Sequence, residues 1–279
     1  WDELKYELDW ILTMQDEDGG VYFKLTAKEF SDFIMPEDYD LDRYIIGKGT
    51  ASSLDFAAVL AQASRLYKEI DPKWSEKALD ASEKAWAWAE LNDNIAFKNP
   101  EDVSTGEYGD NEFSDDFFWA ASELYLATKK DIYSNAIKKY EQEYKHQLAD
   151  SWKNFVRNVG FHSLLENKDE LDVEFKNSLI QGHTALADNI LQKVDQHPYR
   201  IALDNYEWGS NSDILNQAYI LCVAHRLTGD EKYLLGAEQI TDYIFGKNAT
   251  GYCFLTGFGS KRIMFPHHRP SGADSIPDP

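Results

Sequence analysis

One turn pattern recurs three times along the 279 residues and constrains the fold more than any other feature of the chain. Arg65-Leu66 is followed by Asp71, Trp74 and Ala78, Leu126 by Asp131, Tyr133 and Ala136, and Arg226-Leu227 by Asp230, Tyr233 and Ala237. In each copy the Asp is placed to cap a helix by accepting backbone N–H bonds, and the aromatic in the next turn is placed to pack back on the helix before it. Apolar residues flank every copy at helical spacing, so each turn joins two antiparallel helices. Arrays of such hairpins either run open as solenoids or close into an α/α toroid.

The periodicity predicts helices over about 51–69 and 73–91, then 114–129 and 131–147, a weaker one over 153–166, another over 171–193, and a last pair over 211–228 and 230–246. An opening helix carries Leu4, Leu8, Ile11 and Leu12 on one stripe and stops near Asp18-Gly19-Gly20. Val21 to Thr26 alternates enough for a short strand, and Pro36 closes the apolar run Phe33-Ile34-Met35. No Ser/Pro/Gly linker divides the chain, which predicts one domain over residues 1–279. Helices of this length let the chain hold about eight or nine. A closed (α/α)6 toroid of six antiparallel hairpins has twelve helices by definition, so if the array closes, some of its helices are missing from this chain. The start at Trp1 and the stop at Pro277-Asp278-Pro279 suggest that both ends belong to something longer.

Charge sorts the function classes. A formal charge of −21 repels phosphate backbones and anionic lipid, and no basic stripe offsets it, which argues against nucleic-acid and membrane-surface roles. Apolar runs such as Tyr219 to Val223 fall far short of the roughly 20 residues of a membrane span. With 8 Trp, 16 Tyr and 15 Phe the chain is rich in flat rings, which suit sugars when they line a cleft and serve equally as filler in a large helical core. Cys222 and Cys253 lack metal-type spacing, and Cys222 reads as a buried small hydrophobe.

Chemistry concentrates beyond the last helix, where Pro266-His267-His268-Arg269 gathers two imidazoles and a guanidinium in a loop. That grouping suits hydroxyls or a carboxylate. The segment Cys253 to Arg269 resembles the histidine signature of glycoside hydrolase family nine, the cellulase family, with Cys253 in place of the usual Ser, Thr or Val. Five further stretches are similar to that family and fall in its order: Glu7 to Leu12 with Met14-Gln15, Asp18 to Tyr22, Asp55 to Ala61, Thr105 to Asp110, and Trp208-Gly209-Ser210-Asn211 with Asn216.

This resemblance implies an (α/α)6 toroid and hydrolysis of β-1,4-glucan with inversion. An inverting enzyme uses an acid on the leaving oxygen and a carboxylate base on the attacking water, about 6.5–9.5 Å apart. By analogy His267 is the residue nearest the chemistry, Arg269 and His268 hold the sugar, Trp208 is a stacking platform and Tyr108 a wall of the cleft. The family's base belongs to an Asp-Ala-Gly-Asp motif ahead of the Glu7 helix, and its acid to an Asn-Glu motif after the histidine signature. Neither falls inside this chain, so no acid or base is assigned. Asp115-Asp116 and Glu207 with Asp213 are internal substitutes of little promise, since Asp115 and Asp116 open a helix, where carboxylates cap free N–H groups.

The same acidic loop suggests calcium. Asp110, Asp115 and Asp116, joined by Glu112 and carbonyls from Thr105 to Gly109, offer the roughly six to eight oxygens the ion prefers, and no organic cofactor is implied. Phe23, where relatives tend to carry His, and Asp213, where an apolar residue is usual, are departures that open an exo-acting or amino-sugar alternative. His146, His162, His183, His197 and His225 are scattered without metal spacing and read as structural or surface residues. The expected setting is secreted or cell-surface, monomeric apart from terminal segments that complete the domain, with a β-glucan as partner. A non-catalytic carbohydrate-binding toroid is the rival from another class. A uronyl hydrolase is weaker, because it leaves His-His-Arg unexplained.

Overall fold

A computed structural model describes residues 1–143, 156–274 and 276, which divide into two compact units. The first takes Trp1–Phe30 and the described parts of 42–145 and 153–172. The second takes Ser31–Leu41 and the described residues from 173 onward. Among the described residues no helix is long and apolar enough to cross a membrane.

In the first unit, small residues decide the packing. Helix α1 (Asp2–Leu12) and the antiparallel strands β1 (Tyr22–Thr26) and β2 (Tyr44–Lys48) lead into α2 (Thr50–Tyr67) and α3 (Pro72–Leu91). Buried Ala57, Ala58, Ala61 and Ser64 on α2 face buried Ala78, Ala81, Ser82 and Ala85 on α3. Without bulky side chains the backbones come close enough for Ser82 Oγ to donate to Ala57 O at 2.5 Å and Ser75 Oγ to Ser64 O at 2.7 Å. The turn behaves as its sequence requires: Asp71 accepts from Trp74 N at 3.1 Å, and the Trp74 ring lies 4.8 Å from Tyr67.

The unit continues with α4 (Ser114–Thr128), α5 (Asp131–Glu143) and α6 (Val156–Glu166). Asp55 bonds Asp116, and two turns along both helices Gln62 bonds Glu123, so α2 and α4 run parallel. Ser163 of α6 also bonds Glu123, and Gly160 faces Phe118 and Trp119 one turn back, so α6 joins the same parallel layer. Parallel helices with antiparallel returns between them are what consecutive hairpins build. Strand β2 was not legible as the partner of β1, because Tyr44-Ile45-Ile46-Gly47-Lys48 lacks alternation. The stretch between α5 and α6, which holds His146, lies outside the described residues.

The second unit packs α7 (Val173–Gln196), α8 (Ser210–Thr228) and α9 (Glu231–Ile244) around Ile190, Ile201, Ile214, Leu221, Tyr233 and Ile240. Asp230 caps α9 on Lys232 N at 3.0 Å. Asp131, by contrast, is the first residue of α5, after Lys129 has ended α4 with φ 58°. Tyr133 and Tyr233 are buried as expected, but each hydroxyl reaches a third helix, Glu83 of α3 and Asp188 of α7, both at 2.9 Å. His162 and His183 are buried, and His183 Nε2 lies 2.9 Å from Ile220 O.

Candidate functional site

The loop that carries the histidines is braced from α9 outward. Asn248 holds the turn after α9: its Nδ2 donates to Tyr243 O and Tyr252 O, both at 2.8 Å, while Oδ1 accepts from Thr250 N and Oγ1. Cys253 N then donates to Lys261 O at 2.9 Å, closing a lobe around the buried Cys253 side chain. Gly259, at φ 84°, has no alternative there, since a Cβ on it would stand 2.7 Å from Cys253 Cβ. Cys253 therefore fills its signature position as an apolar plug.

Beyond the lobe, the tetrapeptide docks on the 31–36 segment of the same unit. Arg269 Nε donates to Ser31 O at 3.1 Å, and the Phe33 ring meets the His267 imidazole edge-on at 5.8 Å. Phe33 reaches this position over Gly272, where a Cβ would lie 2.5 Å from the ring. Helix α10 (Arg269–Ala273) begins here. His268 caps it: Nδ1 accepts from Ser271 N and sits 2.8 Å from Ser271 Oγ, so one of its two nitrogens is committed to the helix end. His267 stays exposed with its ring plane fixed by Phe33. In the sequence Phe33 is only one member of an apolar run closed by Pro36. Its half exposure beside a histidine is the signal that structure alone provides.

Trp208 belongs to the same unit and is 96% exposed. Gly209 at φ 85° turns the chain sharply into α8, so the indole stands off the helix start with nothing packed on it that would spend its face. Asp213 lies in the first turn of α8, where a carboxylate favours the helix dipole.

Tyr108 and the acidic loop lie in the first unit. The Tyr108 ring covers Gly106 and is two-thirds exposed. The loop beneath it is fixed by a cation already in place: Lys24 Nζ donates to Gly106 O at 2.8 Å and to Thr105 O at 3.3 Å. Those carbonyls are thus withdrawn from the calcium shell that the loop's sequence suggests. Asp110 Oδ1 is engaged as well, accepting from Asn111 N and Glu112 N. Phe23 stacks flat on Phe97 at 3.9 Å, a packing contact.

Asp115 and Asp116 are not solvated caps; both are buried in the first turn of α4. Burial outweighs the helix dipole, which is worth about 0.3–1 kcal/mol to a carboxylate. Desolvation pushes Asp115 up to about 6, with the Asp110 charge adding and the Arg157 charge opposing. Asp116 is pushed well above the carboxylate range by burial and by the Asp55 and Asp115 charges. Asp55, bonded to Asp116, is raised by burial to about 7. Oδ1 of Asp55, Oδ2 of Asp115 and both polar atoms of the Asn158 side chain are sealed from solvent without a hydrogen-bond partner among the described residues. No three His, Cys, Asp or Glu side chains among the described residues form a ready metal shell. Asp115 and Asp116 remain as carboxylate donors, and a partnerless buried oxygen is what a hard cation completes.

Comparison with known proteins bears on both units. The family model described as glycosyl hydrolase family 9 matches residues 1–278. The chain is 43% identical over 298 residues to a xyloglucan-specific endo-beta-1,4-glucanase of Bacteroides ovatus, covering 100% of this chain and 50% of that protein. It is 34% identical over 284 residues to endoglucanase D of Acetivibrio thermocellus, covering 100% of this chain and 45% of that one. A solved structure described as "Bacteroides ovatus GH9" matches with a TM-score of 0.92 at 40% identity, over 100% of this chain and 54% of that one. The chain spans about half the length of the relatives it matches.

Proposed function

Because the chain belongs to glycosyl hydrolase family 9, whose fold is the (α/α)6 barrel, we propose that the protein containing it hydrolyses β-1,4-glucosidic bonds of a β-glucan with inversion. This chain's part is to hold the sugar. The exposed Trp208 indole offers a stacking face in the second unit, and Tyr108, separately, is an exposed ring of the first. His267 offers an oriented imidazole, and Arg269, anchored through Nε to Ser31 O, places its guanidinium charge beside it. Protonating the leaving oxygen and activating water fall to a carboxylic acid and a carboxylate supplied from outside the motifs matched here. The observation that carries the reading is the family match along residues 1–278 together with a histidine loop braced by Asn248, Ser31 and Phe33.

Full-length protein should release reducing ends from soluble β-1,4-glucan. The relative in Bacteroides ovatus makes xyloglucan the first polymer to try, with an unbranched glucan beside it. His267→Ala should then lower the rate at least about ten-fold, as expected when a group that holds the transition state is removed. An unchanged rate would remove His267 from the site. A second reading, binding without cleavage, describes the isolated chain, in which no acid–base pair of the family's motifs is present. Retention of the polymer without product by the isolated chain is its expected signature.

Calcium is part of the proposal, held by Asp115 and Asp116. The support is their burial and the partnerless Asp115 oxygen. Adding calcium after chelator treatment should raise the thermal midpoint, since a ligand at a hundred times its Kd stabilises by about 2.7 kcal/mol. A midpoint that does not move counts against the site. A secreted or cell-surface setting follows from a substrate that is a polymer.

A further inference from the structure

Where α7 gives way to the approach to α8, the second unit holds a cavity of about 350 Å³ lined by Pro198, Tyr199, Arg200, Gln239, Lys247 and Asn248. It shares no lining residue with the His267–Arg269 loop. The volume falls within the roughly 300–1,000 Å³ of small-ligand pockets.

Its walls are built. Arg200 is one of two non-glycine residues in the left-handed region among the described residues, at φ 57°. Such a conformation costs on the order of 1 kcal/mol and persists only where the surroundings enforce it. Here the enforcement is a clamp, Arg200 Nη1 donating to Asp195 O at 2.9 Å and to its carboxylate at 3.1 Å. Opposite, Asn248 fixes the turn that carries Lys247.

Charge decides the ligand class. Arg200 is paired with Asp195 and Lys247 with Asp242, so each cation at the cavity has a carboxylate to balance it. What remains is hydrogen-bonding capacity: the Tyr199 hydroxyl and the Gln239 amide are neutral groups with no hydrogen-bond partner among the described residues, and Nε and Nη2 of Arg200 are further, charge-assisted donors. Beside them runs a chain of rings. The Tyr206 hydroxyl lies 3.2 Å from His197 Nε2, His197 is 6.2 Å from Tyr199, and Tyr199 is 6.4 Å from Tyr243. Tyr206 stands two residues before Trp208. Donors and acceptors whose charges are balanced, next to the partly exposed rings of Tyr199 and Tyr206, match a pyranose, which has hydroxyls at its edge and apolar C–H faces.

We propose that this cavity is an accessory sugar-binding site, taking a neutral residue of a β-glucan chain whose other residues lie at Trp208. The proposal rests on the glucanase reading above, and the two are separable by chain length.

In full-length protein, Tyr199→Ala and, separately, Gln239→Ala are compared with wild type on cellotriose and cellohexaose. Both variants should raise KM for cellohexaose about ten-fold, corresponding to one lost stacking or hydrogen-bonding contact of about 1.4 kcal/mol, with kcat and the cellotriose KM unchanged. Unchanged KM for cellohexaose in both variants overturns the accessory site and leaves the glucanase reading standing. Equal rises for both sugars also overturn it, because the cavity would then serve the central cleft or the fold. Wild-type protein that cleaves neither sugar overturns the glucanase reading itself.

Discussion

Glu123→Ala should destabilise the protein by about 3 kcal/mol, the largest loss expected from any single substitution in the parallel helix layer. Glu123 has no solvent exposure, and its carboxylate accepts from Arg65 of α2, Gln62 of α2 at 3.2 Å and Ser163 of α6. Burial raises its pKa, which the Arg65 charge opposes. Removing one partner of a buried pair costs about 3–5 kcal/mol, because the surviving charge stays desolvated. The lower end applies, since the Arg65 side chain keeps 22% of its exposure and recovers some hydration. Glu123→Gln, which retains a hydrogen-bonding head, should lose about half as much. Urea unfolding measures both. A loss under about 1 kcal/mol for the alanine variant would mean that the pair spans the layer without holding it.

That carboxylate also shows where sequence reasoning stops. The hairpin pattern made the hairpin helices legible because capping and periodicity are local: Asp71 and Asp230 cap where their spacing requires, and α1 to α9 fall within a few residues of their periodic stretches, whereas the short α10, begun by Arg269, lies where the sequence suggests a loop. Glu123 sits in an apolar stretch of α4 with nothing nearby in sequence to mark Arg65 as its partner. The third-helix bonds of Tyr133 and Tyr233 were hidden for the same reason, being set by how hairpins stack.

The site divides along the same line. Pro266 to Arg269 stood out because three polar heads in a row have no place in an apolar stripe. Phe33 did not, since an apolar residue before a proline has many ordinary explanations, and its use emerges only where Gly272 lets the ring reach His267. The acidic loop misled in a different way. Its composition counts oxygens but not the Lys24 ammonium that occupies two of the carbonyls, a contact across more than eighty positions of chain. Asp55, in sequence one residue of an apolar helical stretch, is the partner that turns Asp116 from a helix cap into half of a buried acid pair.

That pair leads to the second large effect: in chelator, the protein should lose stability as pH rises from about 5 to 8. Asp55 of α2 and Asp115 and Asp116 of α4 face one another, with Asp110 in the preceding loop and Arg157 of α6 as the other charges acting on them. In the unfolded chain these carboxyls titrate near 3.9. In the fold Asp55 is raised to about 7, Asp115 to about 6 and Asp116 well above its ordinary value, so the native state binds more protons through this window. Stability tied to a raised carboxyl pKa is complete below the unfolded value and fades as pH passes the folded one. Forcing one proton from the pair costs on the order of 2–4 kcal/mol. Asp116→Asn should flatten the dependence, because an amide donates permanently to an ionised Asp55. Calcium should flatten it too, by supplying the positive charge that the proton otherwise provides. Thermal midpoints across pH, with and without chelator and in both proteins, separate these effects. If wild-type midpoints in chelator are level or rise toward pH 8, or if Asp116→Asn follows the same curve, the buried carboxyls share no proton and the cluster is ionised without help.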